Sequence, residues 1–85
     1  MQTFNHTITD KLGIHARPAG LLVQKIKEYK STVTIMANGK STVVKGVLGL
    51  MTLGAKQGTE LTVTVEGPDE EIAAAGLKEF LAAKL

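Results

Sequence analysis

Alternating apolar and polar residues predict one strand near the start of the chain and another over residues 60–66. Residues 3–8 place Phe4, His6 and Ile8 on one face, and the polar residue on that face indicates a strand at the edge of a sheet. Residues 60–66 alternate more cleanly and predict a strand that is half buried. Its inward positions are Leu61, Val63 and Val65.

The middle of the chain predicts a β-hairpin. Asn38-Gly39 is a strong two-residue turn signal, because both residue types accept the positive φ angles that a tight hairpin needs. The turn joins a strand over residues 32–37 to a second strand over about residues 40–44. The inward positions of the first of these strands are Val33, Ile35 and Ala37.

Two helical segments are predicted between the strands. Apolar residues spaced i, i+3, i+4 and i+7 predict a core-facing helix over about residues 16–28, and Pro18 suits its first turn, where a backbone N–H is not needed. The apolar stripe consists of Ala19, Leu22, Val23 and Ile26. Residues 47–51 are apolar but glycine-rich, so they predict only one or two helical turns.

A final helix is predicted after Gly67-Pro68-Asp69, with Asp69 as its N-cap and two glutamates near its positive end. Its predicted buried face consists of Ile72, Ala73, Gly76, Leu77, Phe80 and Leu81. The element order is β-α-β-β-α-β-α. We therefore expect one α+β domain over residues 1–85, in which helices cover one face of an open sheet.

Composition and charge narrow the class of protein. The chain has no cysteine, which excludes disulfides, thiol catalysis and zinc–thiolate sites. It shows neither a signal-peptide pattern nor an apolar run of about 20 residues, so we expect a cytosolic protein that does not insert into a membrane. Residues 1–45 carry seven Lys and Arg against two acids, whereas residues 46–85 carry three against six. This asymmetry either steers an acidic partner or is a solvated surface without a role.

The strongest chemical signal is Gly13-Ile14-His15-Ala16-Arg17-Pro18-Ala19-Gly20. The free N–H groups and the dipole of a helix N-terminus favour anions, and an imidazole beside them can carry a phosphoryl group. The Arg17 guanidinium adds donors for the same oxygens. A phosphorylatable His15 is one interpretation, and a capping or surface histidine is the other.

The remaining signals are weaker. His6 is expected to be an edge-strand residue with its tip in water, and neither histidine has a partner at metal-ligand spacing. The apolar side chains of residues 47–51 are either loosely packed core or a docking patch. Residues 46–49 match the G-x-x-G loop of KH domains, but their central pair is apolar and no long amphipathic helix follows. With three aromatics in the whole chain, we do not expect nucleic acid as a partner.

Beyond this local chemistry, the chain resembles the HPr family, the histidine-containing phosphocarriers of the bacterial phosphoenolpyruvate:sugar phosphotransferase system. The segment 13–19 resembles the active-site signature of the family, and the stretch from Lys45 to Gly54 resembles its second signature. The resemblance continues through the hairpin at 38–41, through 57–59 and through 66–70, so it covers nearly the whole chain.

The resemblance implies an open-faced β-sandwich, in which three helices cover one face of a four-stranded antiparallel sheet. It implies that Nδ1 of His15 accepts a phosphoryl group from phosphorylated enzyme I and passes it to enzyme IIA domains, with Arg17 beside it. The implied phosphate site is Ala16, Arg17 and Pro18. The implied docking surface is Gly20, Leu21, Gln24, Lys27, Val47, Leu48 and Met51.

The resemblance also implies a monomeric carrier with a transient phosphohistidine rather than a free-standing enzyme. The chain itself would need no metal or cofactor, since magnesium and phosphoenolpyruvate belong to enzyme I. Gly46 stands where many members have a regulatory serine, so phosphorylation by their serine kinase is not expected. His15 argues against the branch that has glutamine at this position. A paralogue in a nitrogen-related phosphorelay and a non-catalytic RNA- or ligand-binding module stay open as alternatives.

Overall fold

A computed structural model describes residues 1–13 and 16–85. The described residues form four strands and three helices in the predicted order. The elements are β1 Gln2–Thr7, α1 Ala16–Lys27, β2 Thr32–Ala37, β3 Lys40–Val43, α2 Val47–Met51, β4 Glu60–Glu66 and α3 Glu70–Lys84. The strands form one antiparallel sheet in the order β1-β4-β2-β3. The expected α+β fold, with helices on one face of an open four-stranded sheet, is confirmed.

The core lies between one face of the sheet and the helices. The inward residues of β4 and β2 are buried, and β1 and β3 are the edge strands. The edge position of β1 agrees with the prediction from its polar residue. The stripes of α1 and α3 complete the same core. Within the described residues, no helix is long and apolar enough to cross a membrane.

The predicted hairpin turn forms between β2 and β3. Asn38 has φ 53° and Gly39 has φ 75°, so both central residues take the positive φ angles of the expected turn. The Asn38 side chain then donates from Nδ2 to the carbonyl oxygens of Leu53 and Gly54, at 3.0 and 3.2 Å. The turn residue therefore fixes the chain that leaves α2 as well as the hairpin.

The start of α3 differs from the prediction in two respects. Asp69 is the N-cap residue, but its side chain makes no capping hydrogen bond. Its carboxylate instead accepts from the Lys30 backbone N–H and from the Ser31 hydroxyl, because the turn after α1 lies against it. Ile72 was expected to be buried and is 70% exposed. It lies in the first turn, to one side of the stripe formed by Ala73, Leu77 and Leu81.

The expectation for His6 is also wrong in one respect. His6 pairs with the buried Leu61 in the sheet, on the face that α3 covers. Its Nε2 atom is buried and has no hydrogen-bond partner within the described part of the chain. The ring tip is therefore withdrawn from water, although β1 is an edge strand.

Candidate phosphotransfer site

His15, the proposed phosphoryl acceptor, lies with Ile14 outside the described residues. The structure shows the two segments that flank it. The chain before it, residues 8–13, follows β1, and the chain after it begins α1 at Ala16. These two segments are the described parts of the chain on either side of the proposed acceptor.

The preceding segment is held by two distant parts of the chain. The oxygen of Leu85 accepts from the backbone N–H groups of Thr9 and Asp10 and from the Thr9 hydroxyl. On the other side, Gln57 Nε2 donates to the Thr9 carbonyl at 3.2 Å. Leu12 N–H donates to Asp10 Oδ1 at 2.8 Å, which closes the turn. Residues 9 and 10 of this loop are therefore held by both Leu85 and Gln57.

Gly13 lies close against the backbone of residues 55–56. Its φ is +68°, and an ideal Cβ at this position would lie 2.4 Å from the Ala55 carbonyl oxygen and 2.7 Å from the Lys56 Cα. Any other residue would meet backbone there and would also adopt an unfavourable φ. Glycine is therefore required for the close approach of this loop to residues 55–56.

On the side opposite its core stripe, helix α1 has an exposed stripe that contains both polar and apolar residues. Pro18 is buried in the first turn and Arg17 is exposed beside it. The predicted docking residues of α1 continue along the exposed stripe, where Leu21 is 40% exposed. They are Gly20, Leu21, Gln24 and Lys27, of which Gly20 is partly buried and the other three are exposed.

Helix α2 divides its apolar side chains between core and surface. Leu50 is fully buried, which accounts for one of the four large apolar residues. Leu48 and Met51 are 77% and 44% exposed, and Val47 is partly buried against the core. Because α2 packs against α1, the exposed residues of the two helices belong to neighbouring elements. The sequence did not decide whether the apolar side chains of residues 47–51 are core or a docking patch. In the structure, Leu50 belongs to the core and Leu48 lies on the surface.

The segment 46–49 does not form a loop of the KH kind. Gly46 is the N-cap of α2 with extended backbone (φ −160°, ψ 173°), and Gly49 lies inside the helix. The helix is five residues long, and within the described part of the chain no side chain caps its first N–H groups. Among the described residues, no group of three or more His, Asp or Glu is placed to hold a metal ion.

A shallow cleft of about 260 Å³ lies where the first turn of α1 meets the last turn of α3. It is lined by Asp10, Arg17, Pro18, Leu21 and Lys84. Lys84 was not among the site residues predicted from the sequence. The only signal was its positive charge in the last turn of the predicted helix, which equally suits the negative end of a helix dipole.

Comparison with known proteins decides the family. The family model described as "PTS HPr component phosphorylation site" matches residues 2–83. The chain belongs to the HPr family. It is 42% identical to a phosphocarrier protein HPr of Lysinibacillus sphaericus over 81 residues, which cover 95% of this chain and 92% of the relative. The crystal structure of an HPr from Thermoanaerobacter tengcongensis superposes with a TM-score of 0.92 at 34% identity, over 99% of this chain and 94% of the other.

Another similar structure bears on whether proteins of this fold are monomers or dimers. A crystal structure of the Bacillus subtilis catabolite-repression protein Crh matches with a TM-score of 0.78 at 34% identity, covering 94% of this chain and 92% of the other. It is described as a dimer with a swapped domain. The resemblance to phosphocarriers is thus confirmed, whereas the expected monomeric state stays a prediction.

Proposed function

We propose that this HPr family member carries a phosphoryl group on His15 between phosphorylated enzyme I and an enzyme IIA domain, in support of sugar uptake. The observation that carries the proposal is the family match over residues 2–83, which includes the motif around His15. We further propose that residues 1–85 act as one monomeric domain in the cytosol.

The residues around the acceptor suit this role. Arg17 is exposed in the first turn of α1, where a guanidinium adds fixed donors to the N–H groups of the helix end. Ala16, Arg17 and Pro18 are the residues proposed to bind the phosphoryl oxygens. A carrier must release its phosphoryl group, so a single arginine at an open surface suits the task better than an enclosed pocket.

The exposed residues of α1 and α2 suit docking to more than one protein. Leu21, Leu48 and Met51 are apolar and exposed, and Gln24 and Lys27 flank them with polar groups. Apolar side chains surrounded by a polar rim are typical of protein interfaces, and methionine adapts to different partners. We propose that enzyme I and enzyme IIA use this surface in turn, since the two steps share one phosphohistidine.

The test is a two-stage transfer with labelled phosphoenolpyruvate. The protein is incubated with a catalytic amount of enzyme I, freed from excess substrate, and offered to a sugar-specific enzyme IIA or to a nitrogen-related one. We expect stoichiometric label on the protein and its discharge to the sugar-specific acceptor. Label that never appears would overturn the carrier role, and discharge only to the nitrogen-related acceptor would place the protein in the other branch.

A further inference from the structure

The cleft between α1 and α3 combines charges that the docking surface proposed above does not include. Arg17 and Lys84 bring two positive charges to its walls, and Asp10 brings one negative charge. Ion pairs within the described residues join Met1 to Glu70 and Lys25 to Glu28, so neither Arg17 nor Lys84 takes part in them. The walls of the cleft therefore carry a net positive charge that faces solvent.

The fold fixes the backbone that carries Lys84 into this cleft. Leu85, which follows it, is 1% exposed and packs in the core. The Leu85 oxygen accepts from Thr9 and Asp10 in the loop that leads to the acceptor, and its N–H donates to the Leu81 carbonyl. The backbone on the C-terminal side of Lys84 is therefore anchored to the loop of residues 8–13, while the Lys84 side chain is exposed.

The cleft is continuous with the proposed docking surface. Leu21 lines the cleft and also belongs to the exposed stripe of α1, and Arg17 lies one turn before it. A protein that covers Leu21 would place its own side chains over the opening of the cleft. The cleft has a volume of about 260 Å³, which is large enough to admit one side chain of that protein.

We propose that this cleft receives a carboxylate side chain of the docking partner and that Lys84 pairs with it. Lys84 is then a docking residue, contributed by the last turn of α3 to a surface otherwise formed by α1 and α2. This role of Lys84 rests on the proposed function, because it needs a partner that docks at α1. It adds an element of specificity, since an acidic group at this point of the partner is favoured and a basic one is repelled.

Lys84 differs in role from Arg17. Arg17 is proposed to contact the phosphoryl oxygens, so its loss should slow the transfer step itself. A docking lysine at the rim instead changes the encounter of the two proteins and makes it depend on ionic strength. The two roles separate in kinetics, because docking affects KM whereas contact with the transferred group affects kcat.

The test compares charge variants at two lysines of the same helix. Lys84→Glu and Lys84→Gln probe the cleft, and Lys78→Glu and Lys78→Gln are matched controls. Lys78 is also exposed on α3, but it lines a different cleft, beside β1. KM and kcat for phosphorylation by enzyme I and phosphoenolpyruvate are measured for each variant at low and high salt, and thermal unfolding confirms that each variant is folded.

We expect Lys84→Glu to raise KM about three- to tenfold at low salt, with kcat within about twofold and a smaller effect at high salt. Lys84→Gln should show a smaller rise, and both Lys78 variants should match the wild type. Equal KM values for the Lys84 and Lys78 variants would overturn the proposal, as would a fall in kcat without a rise in KM. Failure of the wild type to accept phosphate would instead overturn the proposed function.

Discussion

At the scale of single residues, Gly13 is the position at which the fold tolerates least change. Gly13→Ala would place a methyl group against the Ala55 and Lys56 backbone and force alanine into positive φ. We expect the free energy of unfolding to fall by about 2 kcal/mol or more, measured by urea denaturation.

Gly20→Ala is the matched control for Gly13→Ala. Gly20 lies inside α1, and an added Cβ meets no atom of the described residues within 4 Å, so alanine should stabilise the helix by about 0.5–1 kcal/mol. A Gly13→Ala protein as stable as the wild type would contradict the close approach of the loop to residues 55–56.

Arg17 is expected to act on the phosphoryl group rather than on the fold. Its side chain is exposed, so Arg17→Ala should leave the unfolding midpoint almost unchanged. Rapid-quench measurement should show that the rate of transfer from enzyme I falls, but by no more than about tenfold, because the helix N–H groups remain as donors. Arg17→Lys, which keeps the charge but loses the fork of donors, should recover part of the rate. An unchanged rate in Arg17→Ala would remove this residue from the phosphate site.

Single residues also show where a sequence pattern reaches its limit. Asp69 was predicted at the correct position, but the partners of its carboxylate lie 38 and 39 residues away, at Ser31 and Lys30. Likewise, the pattern placed His6 on the inner face of β1 but did not show that its Nε2 atom is buried. Contacts of this kind depend on how elements pack, which neither periodicity nor capping preferences contain.

At the scale of elements, α2 gives the sharpest test of the docking surface. Leu48→Glu would place a charge in an apolar contact, so we expect KM for enzyme I and for enzyme IIA to rise about tenfold or more. Ile72→Glu is the matched control, because Ile72 is similarly exposed, at 70% against 77% for Leu48, but lies at the start of α3. Equal kinetics for the two variants would contradict a docking role for α2.

The elements themselves were largely predictable from the sequence. The two-residue period of β4 and the Asn38-Gly39 turn gave the correct strands, and the bounds of β1 and β3 differ from prediction by one residue. The apolar stripe also gave α1 within one residue at its end. The cleft at Lys84 was not predictable, because it forms only where the last turn of α3 meets the first turn of α1.

At the scale of the whole molecule, two carboxylates at the start of α3 join distant parts of the chain. The Ser31 hydroxyl and the Lys30 N–H lower the pKa of Asp69 from its ordinary value of 3.8. The Met1 amino group and the Gly67 N–H lower the pKa of Glu70 from its ordinary value of 4.5. In the acid range the folded protein therefore binds fewer protons at these groups than the unfolded chain does.

It follows that both carboxylates stabilise the fold fully above their ordinary pKa values. This stabilisation is lost as the pH falls through the lowered values of the folded protein. Urea midpoints measured between about pH 6 and pH 2 should decline with acid, and Asp69→Asn should make the decline less steep. Glu79→Gln, which alters an exposed carboxyl further along α3, should keep the wild-type slope. A wild-type protein that gains stability on acidification would contradict these assignments.

His15 is proposed to be the residue that carries the phosphoryl group. The most direct test phosphorylates the protein with enzyme I and phosphoenolpyruvate, and locates the modification by mass spectrometry at neutral to alkaline pH, where phosphohistidine survives. His15→Ala and His6→Ala are treated in parallel. We predict one phosphoryl group on His15, retained in folded His6→Ala and absent from folded His15→Ala. Phosphate on His6, or undiminished phosphorylation of His15→Ala, would contradict the account.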